Sequence, residues 1–269
     1  MAVDPKNPKI MYYPTNPDPP TFKEAPIKEG LTNAGSVYKT SDGGKSWQEL
    51  TMPMISGLQA MRIFIDPSSS NHVLFFTQSH SHVYHDNGSI TEVYLDKQHS
   101  VLESNDGGKT WDSWAERLPA PYRALFDGDV SRNNFTHMIV RPFLFGPKFP
   151  PEKVRQKSFY SLDGGKTFGE TPFYIWAGRF DPHDKDGNHL LGFAIENRTV
   201  VESRDGGKTW ENVSTPAEIN GQNVKVSHFV WDPKDPNIVY MGGDRGSVWK
   251  STDGGKNWTL ILSLDKLPK

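Results

Sequence analysis

Apolar residues along this chain fall in short runs, each closed by a polar turn. Five runs read SVYKTSD (36–42), SVLESND (100–106), KSFYSLD (157–163), TVVESRD (199–205) and SVWKSTD (247–253). Runs of this length and composition predict strands, not helices. A second marker lies upstream of them, an apolar run ending in x-Pro. It occurs as Ile65-Asp66-Pro67, Val140-Arg141-Pro142, Phe180-Asp181-Pro182 and Trp231-Asp232-Pro233, with Val3-Asp4-Pro5 as a truncated first copy. Another strand follows the proline in most copies, as in NHVLFFTQ, NHLLGFAI and NIVYMGG. The predicted unit is strand A, x-Pro turn, strand B, loop, strand C, polar turn, strand D.

The polar turn is the strongest repeat. It reads TSDGGKSW, SNDGGKTW, SLDGGKTF, SRDGGKTW and STDGGKNW, with aspartates Asp42, Asp106, Asp163, Asp205 and Asp253 separated by 64, 57, 42 and 48 residues. An Asp side chain accepts hydrogen bonds from backbone amides that the turn leaves unpaired. The glycine pair accommodates positive φ at little steric cost. The closing Trp or Phe is placed to wedge between sheets. Strand-flanked repeats of 40 to 60 residues predict the blades of a β-propeller, four antiparallel strands each. The expectation is an all-β chain, 1–269 a single propeller domain of five blades. Their bounds are approximately 1–51, 58–116, 134–171, 174–214 and 224–263, and the whole is either self-contained or part of a larger propeller. The third blade is the least clear, because FLFGPKFPPEKVRQ makes a poor second strand.

These turns and strands resemble the Asp-box (BNR) repeat superfamily, which includes sialidases, sortilin-type receptor domains and the xyloglucan-active glycoside hydrolases of family 74. AVDPKNPKIMYY followed by a long loop and GSVYKTSDGGKSW is most similar to a blade of the xyloglucanase-like group. The resemblance implies a carbohydrate-active enzyme, with glycoside hydrolysis by paired carboxylates as its chemistry. It also implies a secreted or extracytoplasmic location and a polysaccharide or oligosaccharide partner. The alternatives are a non-catalytic glycan- or protein-binding propeller, a polysaccharide lyase and a sialidase-like hydrolase.

Composition narrows this further. With 30 basic and 32 acidic residues and no basic block, a nucleic-acid partner is not expected. There are 0 cysteines, so disulfides, thiolate metal sites and thiol nucleophiles are excluded. No signal peptide opens the chain and no apolar run is long enough for a membrane helix. Self-association, or association with a missing propeller part, stays open as a second kind of partnership.

The x-Pro and Asp-Gly-Gly turns share one face of a propeller, so ligand-binding groups are expected on the other. Counting five residues back from each x-Pro proline gives Arg62, His137, Ala177 and His228, a polar ring expected at the channel mouth. Asp127 and Asp129 fall in the connection entering blade 3, and Glu218 in that entering blade 5. Glu196 and Arg245 fall in tight turns between strands B and C. A glycosidase needs two carboxyl groups, so Asp127 or Asp129 with Glu218 or Glu196 are the candidates. His137 and His228 are candidate bases for the lyase chemistry, with Arg62 and Tyr84 beside them. Trp176, Arg179 and Arg245 complete the expected substrate contacts. No cofactor is expected, apart from a metal ion at the channel mouth or on the His-rich loop, where His80, His82 and His85 have suitable spacing.

Overall fold

The structure is a computed structural model. It describes residues 1–15, 36–52, 58–79, 81–84, 90–93, 101–114, 117–119, 124–143, 156–217, 219, 224–244 and 246–263. Among the described residues are five four-stranded antiparallel sheets and one two-stranded hairpin. The chain is therefore all-β and built from propeller blades, as the repeat predicts.

The first sheet holds β1 (Ala2–Val3), β2 (Met11–Pro14), β3 (Val37–Thr40) and β4 (Gln48–Leu50). The second begins with β5 (Leu58–Asp66) and β6 (Ser69–Ser79). A hairpin of β7 (Ser81–Tyr84) and β8 (Ile90–Val93) follows, and β9 (Val101–Ser104) and β10 (Asp112–Ser113) complete the sheet. The third holds β11 (Ala124–Val130), β12 (Met138–Phe143), β13 (Phe159–Ser161) and β14 (Gly169–Glu170). The fourth holds β15 (Ile175–Phe180), β16 (Leu190–Ala194), β17 (Thr199–Ser203) and β18 (Glu211–Asn212). The fifth holds β19 (Val226–Trp231), β20 (Val239–Gly243), β21 (Val248–Ser251) and β22 (Thr259–Leu262). These sheets belong to two compact units, Met1–Phe126 with Pro142–Gln156, and Asp127–Arg141 with Lys157–Lys269.

The third blade departs from the expected boundaries. It starts on β11, not at 134, and its A–B turn is Ser131–His137. The Ser131 amide donates to the His137 carbonyl at 2.9 Å, as the Asp4 amide does to Ile10 (3.0 Å) and the Asp232 amide to Ile238 (2.9 Å). Ser131 Oγ accepts from the Asn133 and Asn134 amides, the task of the aspartate in the other copies. Val140-Arg141-Pro142 is then not a turn. It lies in β12, where Val140 is the last residue paired to β13, so Pro142 removes no donor from that ladder.

Each Asp-Gly-Gly turn closes on itself. Asp205 Oδ1 accepts from the Thr209 amide at 2.8 Å, and Oδ2 from the Thr209 hydroxyl at 2.6 Å. Ser203 Oγ donates to Asp205 Oδ1 and accepts from the Gly207 amide, both at 2.9 Å. Burial pushes the Asp205 carboxyl up, but these donors outweigh it and hold the group below its ordinary range. Trp210 Nε1 donates to the Gly207 carbonyl at 2.8 Å, which turns the ring back over the glycines.

The turn also packs one sheet on the one before it. In the first unit, the Tyr12 hydroxyl and Lys39 Nζ donate to the Gly107 carbonyl at 3.2 and 2.8 Å. Tyr12, Val37 and Leu50 then share a core with Ile65, Val73, Phe75 and Leu102. In the second unit, Ala177, Leu191 and Phe193 of the fourth sheet pack on Phe229, Val239, Met241 and Trp249 of the fifth. Burying side chains of this size contributes about 1.5–3 kcal/mol each, so the sheets are held face to face chiefly by apolar contact.

Candidate functional site

In the second unit, β11, β12 and β15 bring Asp127, Arg141, Trp176 and Arg179 around a recess walled by Ile139 and Ile175. Strand period places them: Asp127 stands four residues before the turn residue Ser131, as Ala177 stands before Asp181 and His228 before Asp232. Asp127 and Asp129 therefore lie on a first strand, not in a connection as expected. The recess has room for about one water, too little to take in a sugar ring. Ligand contact falls to its mouth.

Charge there is predominantly positive. Arg179 Nη2 pairs with Asp127 Oδ2 at 3.0 Å, and Nη1 donates to the Gly178 carbonyl at 2.6 Å. The buried Arg179 Nε has no hydrogen-bond partner among the described residues. The Arg141 guanidinium lies 4.0 Å from the centre of the Trp176 ring, and Lys225 Nζ lies 5.4 Å from the same centre. Arg141 and Arg179 are 5% and 6% exposed, so both are well shielded from water. Burial pushes the Arg141 guanidinium down, opposed by Tyr174 and Asp127, yet a guanidinium stays charged. Burial pushes the Tyr174 phenol up, keeping it neutral. The recess lining thus holds two guanidiniums and one carboxylate, a surplus of positive charge that attracts anionic or strongly polar groups.

The carboxylates expected to cleave a glycosidic bond are held by internal donors. Asp127 Oδ1 accepts from the Gly128 amide at 2.8 Å as well as pairing with Arg179. Asp129 accepts from the Phe180 amide at 2.9 Å. Both oxygens of Glu196 accept from the Tyr174 amide, at 3.2 and 3.0 Å. Glu218 and Arg245 lie outside the described residues.

The expected histidine ring does not form in this unit. His137 is not on a first strand but at the entry to β12, beside the next sheet's turn. Its Nδ1 is 3.0 Å from the Gly187 carbonyl and its Nε2 3.1 Å from Asn134 Nδ2. The cause is the misplaced third turn: the proline from which the count ran, Pro142, is inside a strand. His228 is on β19 and exposed. Arg62 belongs to the first unit, with its guanidinium 5.7 Å from the Phe64 ring centre. His80 and His85 lie outside the described residues, as do the side chains of His82 and Tyr84. Among the described residues no group of three His, Asp or Glu is arranged for a metal ion. Arg198 donates to the Ile219 and Val224 carbonyls at 2.6 and 2.9 Å.

Two histidine bridges escaped the sequence reading. His72 Nδ1 is 2.8 Å from Asp66 and Nε2 3.0 Å from Glu103. His189 repeats this at 2.8 Å from Asp181 and 2.8 Å from Glu202. Both nitrogens of each ring are engaged, so neither ring has a free nitrogen to act as a base. Arg141 and Lys225 were missed as well. Arg141 had been assigned to a turn, and nothing local marks Lys225 as a neighbour of Trp176.

Four-stranded antiparallel blades closed by glycine turns define the chain as a β-propeller protein. No family model matches it. Over 237 residues it is 26% identical to an oligoxyloglucan-reducing end-specific xyloglucanase of Emericella nidulans, covering 86% of this chain and 22% of that protein. Over 236 residues it is 24% identical to a probable enzyme of the same name from Neosartorya fischeri, covering 86% and 21%. The chain thus spans about a fifth of the length of these relatives. Among solved structures, YCF48 bound to D1 peptide superposes with a TM-score of 0.56 at 17% identity, over 87% of this chain and 63% of that one. An ancestral GH74 enzyme gives 0.56 at 15% identity, over 87% and 30%. Both likenesses concern the fold.

Proposed function

We propose that this chain is a polysaccharide-recognising propeller of the xyloglucanase type, with Trp176 and the Arg141–Arg179–Lys225 cluster as its contact point. The observation that carries this reading is the identity to two xyloglucanases running through 86% of the chain. An aromatic ring bordered by cations offers an apolar face and directed donors together, which suits a sugar ring and its hydroxyls. Cleavage would draw on Asp127 or Asp129 with Glu196 or Glu218. The internal donors on Asp127, Asp129 and Glu196 favour recognition over cleavage. The same reading carries an extracytoplasmic location.

Affinity electrophoresis in xyloglucan-containing gels, run beside a reducing-end assay, tests it. Retardation without new reducing ends is expected, weakened about fivefold by Trp176→Ala, since an aromatic contact is worth on the order of 1 kcal/mol. Reducing ends that vanish in Asp127→Asn would replace recognition by hydrolysis, and no retardation in any polysaccharide would end the proposal. A second reading, a carboxylate-bearing peptide, is favoured by the surplus of guanidinium over carboxylate in the recess. Calorimetry with peptides ending in a free or an amidated carboxyl group separates the two.

A further inference from the structure

The recess in the second unit leaves one strong donor without an acceptor. Arg179 is buried and belongs to its lining. Nη2 is taken by Asp127 at 3.0 Å, and Nη1 by the Gly178 carbonyl at 2.6 Å. The Nε N–H remains, buried and with no partner among the described residues. Leaving a buried donor unmet costs more when the donor is charged than when it is neutral. The recess beside Arg179 is where an acceptor can stand.

Charge and size select that acceptor. Arg141 is buried on the same lining. Burial pushes its guanidinium down, Tyr174 and Asp127 oppose this, and the Arg179 charge adds to the fall, so the two guanidiniums feel each other. Asp127 is the one carboxylate in the lining. Asp129 and Glu196 lie outside it and accept from the Phe180 and Tyr174 amides. Lys225, near the Trp176 ring, adds positive charge. A water would accept from Nε but leave the surplus charge buried, whereas an anion answers both needs. Room for about one water admits a single-atom ion and excludes a tetrahedral oxyanion. The walls have little slack to widen: a Cβ on Gly178 would stand 3.2 Å from Ile175 and 3.3 Å from Ile139.

We propose that the recess binds one halide ion, chloride in ordinary solution, held by Arg179 Nε and the charge of Arg141. Its lining comes from β11 and β12 of the third sheet and β15 of the fourth, so the ion ties two blades of one unit together. This goes beyond the polysaccharide reading and stands whether or not a sugar binds at the mouth.

Chloride-35 line widths, measured on the full chain while chloride replaces gluconate at constant sodium, test it. Excess broadening is expected to saturate as one site and to be displaced by bromide. Arg179→Lys, which keeps the charge but has no Nε donor, is expected to weaken binding about tenfold or more, the worth of a charge-assisted hydrogen bond. Asp127→Asn is expected to tighten it about fivefold, because a competing negative charge is gone. Tightening cannot come from loss of the fold, so this variant decides the matter even if circular dichroism shows Arg179→Lys unfolded. Crystals soaked in bromide are expected to show an anomalous peak in the recess. The proposal is overturned if the wild type shows no saturable, displaceable broadening, or if a folded Arg179→Lys binds chloride unchanged. Weaker binding in Asp127→Asn, or bromide ordered only outside the recess, overturns it too.

Discussion

His72 joins the A–B turn of the second sheet to its third strand, and removing it should loosen that corner by a measurable, pH-dependent amount. In His72→Ala two hydrogen bonds to carboxylates are lost, at 2.8 Å to Asp66 and 3.0 Å to Glu103. Bonds to charged partners contribute about 1.5–3 kcal/mol each. The carboxylates left behind keep other donors: Ser68 on Asp66, and Trp114 Nε1 at 2.8 Å on Glu103. The ring is also 25% exposed, which places the loss at about 2–4 kcal/mol. The pH dependence has a defined sign. The Glu103 hydrogen bond raises the imidazole above its ordinary value, burial opposes it, and Asp66 adds to the rise. A raised folded value means the charge contribution is fully present below about pH 6.5 and fades as pH climbs through the folded value. Hydrogen exchange of a peptide covering 101–114, corrected for the intrinsic rate at each pH, reads the local opening free energy. The difference between wild type and His72→Ala should be largest near pH 6 and shrink by pH 9. A difference below about 0.5 kcal/mol, smaller than the usual net worth of one hydrogen bond, or one equal at both pH values, refutes the bridge as a stabilising element.

Adjacent glycines of the fifth turn should respond unequally to alanine. Gly254 has φ +74° and open space around its Cβ position, whereas Gly255 has φ +95° and a Cβ that would stand 2.7 Å from Leu191 Cδ1. Urea denaturation should show Gly254→Ala costing about 1–2 kcal/mol for the left-handed backbone. Gly255→Ala should cost about 1–3 kcal/mol more for overpacking; equal costs would mean that the turn does not seat against the fourth sheet. The turn aspartates should also resist acid. Asp163 is held at about 2, burial being outweighed by the Thr167 hydroxyl and amide, and Asp253 at about 2, chiefly by the Asn257 side chain. A depressed folded value contributes stability above the ordinary carboxyl range and loses it as pH falls through about 2. Carboxyl-carbon NMR titration should find both charged at pH 3, and a midpoint near 4 would show that the turn bonds are not made in solution.

The blade count and the turns were legible because each copy carries its own chemistry within eight contiguous residues. The third A–B turn was not, because Ser131-Arg132 does the work of Asp-Pro with neither residue. The proline that looked equivalent, Pro142, sits past the last paired residue of its strand. That single slip moved His137 onto the wrong strand and hid Asp127 and Arg141 as neighbours. A subtler pattern was present in the sequence but had no meaning without the register. Sheets two and four place His, Leu and Glu at equivalent positions, as His72, Leu74, Glu103 and as His189, Leu191, Glu202; Leu pairs with Glu across strands in both. Sheets one and five place Ile, Tyr and Lys there, as Ile10, Tyr12, Lys39 and as Ile238, Tyr240, Lys250, with Tyr paired to Lys. The histidine bond holds the glutamate within its own sheet. An isoleucine in that position offers the lysine nothing, so Lys39 reaches across to the Gly107 carbonyl of the next sheet. The choice at one position before the second strand therefore decides whether the third strand's polar residue serves its own sheet or a neighbour.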